Sequence, residues 1–232
     1  MISFITCLNN WQTYNKNVLK SINENIDPFY KNYELIPIDN TKNKYSASQA
    51  LNLGAKKSKG SILVFCHQDI YFYKNWIKKL QNQIRLLPNN WGIAGCAGAT
   101  LINGNRRWVS HMKDRRWRGS PHKLPRKVQT LDELILIIKA ENFKNPLQFD
   151  ENIPGFHFYG ADICLQALDN NLINYVIDAP VLHKSGGINK INESFWNNLK
   201  YIKSKWSKKF QIIVTTCIDE KMGKTFTAHI KK

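Results

Sequence analysis

A single α/β domain, built on a mixed and mainly parallel sheet with helices on both faces, is predicted by three features of the sequence. Apolar, β-prone runs alternate with helix-patterned segments three times within about the first 90 residues, an order that produces right-handed parallel crossovers. The 232 residues, 43% of them hydrophobic, suffice for one substantial core and exclude a disordered chain. No repeat, low-complexity stretch or linker interrupts them, so residues 1–232 are read as one domain.

Ile2–Cys7 is a short apolar run fit for a buried strand; with no basic n-region or small-residue cleavage site, it is not read as a signal peptide. Asn9-Asn10 turn the chain, and a helix is expected from about Tyr14 to Ile26. Asp27-Pro28 closes it, because proline disfavours helix at the preceding residue. Glu34–Ile38 is the second strand, ending at Asp39-Asn40. Ser46 suits the N-cap of a helix running to Ser58, with Gly60 just beyond. Ser61–Cys66 is continuously apolar, the pattern of a strand buried on both faces. Lys74–Leu87 sets Trp76, Ile77, Leu80, Ile84 and Leu87 at helical spacing, and Pro88 stops it.

The second half is less regular. Trp91–Leu101 reads as one strand of small residues, and Arg106–Lys127 as a basic, aromatic stretch without periodicity. Leu131–Ala140 is a strand or a short helix, which pattern alone does not separate. Gly160–Asn170 is a helix, Tyr175–Ile177 a strand, and Glu193–Trp206 an amphipathic helix. The β-prone tail Gln211–Ile230 suggests a hairpin around Asp219–Gly223.

Thirty-four Lys and Arg against 17 Asp and Glu leave a net charge of +17. Nucleic acid, anionic lipid and nucleotide diphosphates all complement it, as does plain solvation of a Lys- and Asn-rich composition. No helix-turn-helix, RRM signature or zinc finger supports the nucleic-acid alternative, and no specific nucleic acid is expected. Five cysteines, an odd number without C-x-x-C spacing, fit free thiols in a reducing cytoplasm. No apolar run approaches the roughly 20 residues of a membrane span. The Glu193–Trp206 helix, with Phe195, Trp196, Leu199, Ile202 and Trp206 flanked by lysines, fits core packing or peripheral contact with an anionic membrane.

Ligands of open parallel sheets bind beyond the carboxyl ends of the strands. Three strands end there in polar groups: Thr6 and Asn9, Asp39-Asn40, and His67-Gln68-Asp69. Together they suit a nucleotide, although each type also makes ordinary turns. A carboxylate at Asp69, directly after an apolar strand, can hold a divalent cation against a diphosphate. Asp162, at a helix start, is kept ionised by the helix dipole, either as a first-turn residue or as a general base. Arg106–Arg118, with Arg115, Arg116 and Trp117, offers cations for phosphate and rings for stacking, or a solvated loop whose rings cover the core.

Three blocks carry a resemblance. Asn52-Leu53-Gly54-Ala55 through Ser61–Cys66 and His67-Gln68-Asp69-Ile70, then Phe156–Leu165, then Val181–Gly187, resemble in order and spacing the family 2-like glycosyltransferases of GT-A fold, most closely a subgroup with His-Gln-Asp as metal motif. The resemblance implies an inverting transfer from a nucleotide-diphosphate sugar, a UDP-sugar above all, with Mn2+ or Mg2+. Residues 1–90 would be the donor half and 91–232 the acceptor half. Asp69 would meet metal and diphosphate, joined by His183; Asp39 with Asn40 would read the nucleobase. Thr6, Asn9, Asn52, His67 and Gln68 would line the donor site. Asp162 would be the base, with His157 and Tyr159 toward the acceptor, a hydroxyl of a saccharide or lipid-linked saccharide in surface polysaccharide or glycolipid assembly. His67 and Ala161 stand where relatives carry acids, which keeps an inactive homologue open as an alternative.

Overall fold

The computed structural model describes residues 1–26, 30, 32–184 and 193–218. β1 (Ile2–Leu8) leads into a helical segment composed of α1 (Trp11–Tyr14), a π-helical turn (Asn15–Leu19) and α2 (Lys20–Asn25). β2 (Tyr33–Asp39), α3 (Ala47–Lys57) and β3 (Ile62–Cys66) follow. β1 lies between β2 and β3, parallel to both, so Leu8, Asp39 and Cys66 end on one edge. The first helix begins earlier than its apolar spacing suggests because the Asn10 side chain caps it, accepting from Thr13 N–H at 2.9 Å. Ser46 and Gln49 form a reciprocal capping box at the start of α3.

β4 (Ile70–Phe72) and α4 (Trp76–Arg85) come next. The run expected to be one strand at Trp91–Leu101 is two, β5 (Trp91–Gly95) and β6 (Ala97–Ile102), parted at Cys96 into different sheets. The basic stretch is not an irregular loop: β7 (Asn105–Lys113) forms a hairpin with β6, β8 (Trp117–Gly119) folds back on β7, and β9 (Arg126–Val128) joins the main sheet. Its faces alternate too weakly in hydrophobicity to announce strands. The ambiguous 131–140 run contains β10 (Thr130–Leu131), β11 (Ile135–Lys139) and the start of α5 (Ala140–Lys144). α6 (Tyr159–Asp169), β12 (Ile173–Val176), β13 (Val181–His183) and α7 (Glu193–Trp206) complete the described elements.

The seven-stranded sheet runs β2-β1-β3-β11-β5-β12-β9, with β11 and β9 antiparallel to their neighbours; a second sheet runs β10-β6-β7-β13-β4, with β8 on β7. The sheet is therefore mixed. Alternate residues of β1 serve opposite cores: Phe4 packs with Phe72 and Trp76, Ile5 with Leu51, Phe65 and the α3 face. A third core forms where Phe195, Leu199, Ile202 and Trp206 of α7 pack on Phe158, Ala161 and Leu165. The apolar stripe of α7 is thus occupied by protein. None of the described helices is long and apolar enough to cross a membrane. The expected hairpin around Asp219–Gly223, the Asp27-Pro28 helix stop and the Ser185-Gly186-Gly187 segment lie outside the described residues.

α3 approaches the sheet closely enough that a Cβ on Gly54 would stand 2.3 Å from Ile5 Cγ2. Gly54→Ala should therefore cost about 1–3 kcal/mol through overpacking, measured as a lower urea midpoint with an unchanged slope; an unchanged midpoint would contradict this packing.

Candidate functional site

The edge where β1, β2 and β3 end carries the polar cluster. The turn after β3 is fixed by its backbone: His67 N–H donates to Leu134 O at 3.1 Å, and Ile70 N–H to His67 O at 3.3 Å. β13 pairs antiparallel with β4, setting His183 opposite Ile70, and Lys184 N–H donates to Asp69 O at 3.0 Å. His183 Nε2 consequently lies 3.3 Å from Asp69 Oδ1, and the ring centroids of His67 and His183 are 5.6 Å apart. One ligating atom from each of His67, Asp69 and His183 falls within 4.8 Å of the others.

The charges agree with that geometry. Burial opposes ionisation of Asp69, but the hydrogen bond and charge of His183 hold its carboxyl below the ordinary value. Burial likewise works against His183, and Asp69 overcomes it and raises the imidazole. His67 is lowered by burial and then by the neighbouring His183, which favours the neutral ring that metal ligation needs. Two imidazoles and one carboxylate converging in this way fit a divalent cation. Mg2+, which prefers oxygen donors alone, suits this mixed nitrogen and oxygen set less well than a transition-metal dication does.

A cavity of about 350 Å³ opens beside this triad, lined by His67, His183, Asp132, Glu133, His157 and Trp108 among others. Tyr159, at the start of α6, places its hydroxyl 3.2 Å from His67 Nε2. The His157 ring packs edge-on against Phe195, and burial lowers its pKa.

Other predicted residues have local partners. Asn9 and Gln68 lock to each other: Gln68 Oε1 accepts from the N–H groups of Asn9 and Asn10 at 3.1 and 3.0 Å, and its amide donates to Asn9 Oδ1 at 2.6 Å. Thr6 is buried with its hydroxyl 3.2 Å from Cys66 Sγ. Asp39 accepts from Thr41 N–H at 2.9 Å and from the Trp11 indole at 3.1 Å, and these bonds lower its pKa. Asn40 clasps both backbone groups of Tyr45 at 2.9 Å, and Asn52 ties α3 to Phe149 and Glu151. Trp117 stacks on Tyr73 and His111, while Arg115 and Arg116 stand exposed in the turn before β8.

Asp162 is not brought to the cleft. Its neighbour Ala161 lines the cavity, whereas the Asp162 carboxylate is fully buried against α7. It accepts from Trp206 Nε1 at 2.7 Å, Gln166 Nε2 at 2.7 Å and Lys205 Nζ at 3.0 Å. Fully buried among these donors, the carboxylate is not among the groups that line the cavity. The adjacent pair Asp132-Glu133, on the cavity wall, was missed by sequence reasoning; two successive acids before an apolar run, in a chain poor in acids, were the available signal. Trp11 and the Thr215–Cys217 wall, which comes from beyond α7, carried no such signal.

A family model described as "Glycosyltransferase like family" matches residues 3–209. A curated protein of Fuscovulum blasticum, named "ATP synthase subunits region ORF 6", is 28% identical over 172 residues, covering 70% of this chain and 66% of the relative. Among solved structures, GalNAc-T7 with UDP, GalNAc and Mn2+ superposes with a TM-score of 0.65 at 14% identity, over 90% of this chain and 48% of that one. Staphylococcus aureus TarS 1-349 with UDP-GlcNAc gives 0.61 at 15% identity, over 89% and 66%. The chain spans about half to two thirds of the length of these proteins. The fold is that of GT-A glycosyltransferases.

Lys205 is the counter-ion of buried Asp162, at 2.9 Å, and also bonds Asp150 at 2.6 Å. Lys205→Met should cost about 3–5 kcal/mol, because it strands a carboxylate in the core. Equilibrium unfolding checks this, and a loss below about 1 kcal/mol would mean the pair does not anchor α7.

Proposed function

The chain belongs to the glycosyltransferase-like family, and from that premise we propose that it moves a sugar from a nucleotide-diphosphate donor, of UDP type, to a hydroxyl of a saccharide or lipid-linked saccharide, with inversion. The observation that carries this reading is the convergence of His67, Asp69 and His183 at the carboxyl edge of the parallel strands. Donors bind at that edge in open sheets. Asp39 and the exposed Trp11 beside it would meet the base, and the Asn9–Gln68 clasp would form the floor under the ribose.

His67, Asp69 and His183 would hold Mn2+. When bound, such a cation neutralises charge on the diphosphate and so stabilises the leaving group. The adjoining cavity would receive the acceptor, with His157, Trp108 and Arg118 on its walls. Inversion needs displacement in one step, with the acceptor oxygen approaching opposite the diphosphate and a group on the wall taking its proton. Five free thiols fit a reducing compartment, where the enzyme would supply surface polysaccharide or glycolipid assembly.

Calorimetric titration with Mn2+ and UDP tests the donor site. Wild-type protein should bind UDP only with Mn2+, and Asp69→Asn or His183→Ala should weaken this at least about tenfold, or about 1.4 kcal/mol. Equal binding by the Asp69→Asn variant would refute the site.

The pH dependence has a definite sign. Because Asp69 raises His183 above its ordinary 6.5, protons compete with the cation for that imidazole. Mn2+ affinity should fall as the pH drops from about 8 to about 6; an affinity rising in that direction would remove His183 from the ligand set.

A further inference from the structure

Asp162 is buried against α7, whereas Glu133 lines the cavity beside the His67–Asp69–His183 triad. We propose that Glu133 is the general base of the transfer. This rests on the transferase reading above and adds a residue to it.

Glu133 stands between two cavities that share a wall at His67: the 350 Å³ space, and a smaller one of about 40 Å³ bounded also by Cys66 and Tyr159. Its carboxylate is held by backbone, with Gly160 N–H donating to Oε1 at 3.1 Å and Phe158 N–H nearby. No cationic side chain among the described residues is paired with it, unlike Asp162, Asp150 and Asp178, each of which has a lysine. The position is shaped for this carboxylate. A Cβ on Gly160 would come within 2.6 Å of Glu133 Cγ, so the helix start leaves room for the glutamate. Asp132 braces the turn, accepting from Thr216 Oγ1 at 2.8 Å and from Leu134 N–H at 3.2 Å.

Burial, opposed by the Gly160 and Phe158 N–H groups and reinforced by Asp132, pushes the Glu133 carboxyl up to about 8. A base with a pKa near the working pH combines a useful ionised fraction with enough basicity to take a hydroxyl proton. In the transfer, the acceptor oxygen forms its bond to the anomeric carbon as the carbon–oxygen bond to the diphosphate breaks. The bonding pair leaves on the nucleoside diphosphate, and the hydroxyl proton passes to Glu133, then to solvent.

Glu133→Gln tests this, because the amide oxygen can still accept from Gly160 while the group no longer takes up a proton. UDP release from UDP-GlcNAc and UDP-glucose is followed with water or a saccharide as acceptor, alongside calorimetric binding of UDP with Mn2+ and the melting temperature. The expected result is a kcat lower by about 10²–10⁴-fold, with UDP affinity and melting temperature unchanged, and partial recovery in Glu133→Asp. A kcat within about threefold of wild type overturns the proposal. So does a loss of rate matched by lost UDP affinity or stability, or one that Glu133→Asp does not relieve at all. Wild-type protein that binds UDP and Mn2+ but turns over no nucleotide sugar overturns the transferase reading itself, and the base with it.

Discussion

The turn His67-Gln68-Asp69 between β3 and β4 is the constraint from which the rest of the site is measured. Two backbone hydrogen bonds, His67 N–H to Leu134 and Lys184 N–H to Asp69, tie that turn to the strands on either side. The first fixes the loop that presents Glu133; the second fixes the strand that presents His183. Backbone bonds of this kind need no particular side chain, so the turn can hold its shape while its side chains face the cleft. The Gln68 side chain extends the same brace to the end of β1 through Asn9 and Asn10.

The chain distributes its few carboxylates by environment. Asp162 is buried with Lys205, Trp206 and Gln166 and joins two helices. Asp150 shares Lys205, whose hydrogen bond outweighs burial and holds the carboxyl down at about 2. Such pairs are structural in effect, since removing one partner leaves a charge without solvent or counter-ion. Asp69 instead stands beside two imidazoles, and Glu133 faces a cavity with its carboxylate bonded by backbone N–H. Position in the pairing pattern separates anchoring acids from those available for chemistry, and that pattern exists only once α7 is docked.

The N-terminal half was legible because its signals are local. Apolar runs in β1 and β3, the Ser46 cap and the Trp76–Leu80 spacing each act within a few residues. The region from 91 to 140 was not, because its strands belong to two sheets and owe their conformation to distant partners. β11, for example, is antiparallel between β3 and β5, a placement that no feature of Ile135–Lys139 encodes by itself. The basic run 106–118 carries exposed arginines and tryptophans and few apolar residues, yet five of its residues, 106–110, pair with β6. Hydrogen bonding to a neighbour decided its conformation, not its own periodicity.

The sequence by itself determined the α/β class, the parallel start of the sheet and the strand-end cluster, because these follow from short-range hydrophobic patterning and from where apolar runs stop. It also singled out Asp69 and His183, 114 positions apart, through motif resemblance. Only the tertiary structure decided which of them meet and which acids are withdrawn. Asp162 reads from its helix start as a base, but the side of the helix it occupies faces Lys205 and Trp206 of a helix some 40 residues later. Glu133 lies in a run that pattern reads as a strand or a short helix, but in the packed chain Gly160 N–H holds its carboxylate at the cavity wall. Burial and pairing are properties of the packed whole, and they set a carboxylate's charge and reach more strongly than its neighbours in sequence do.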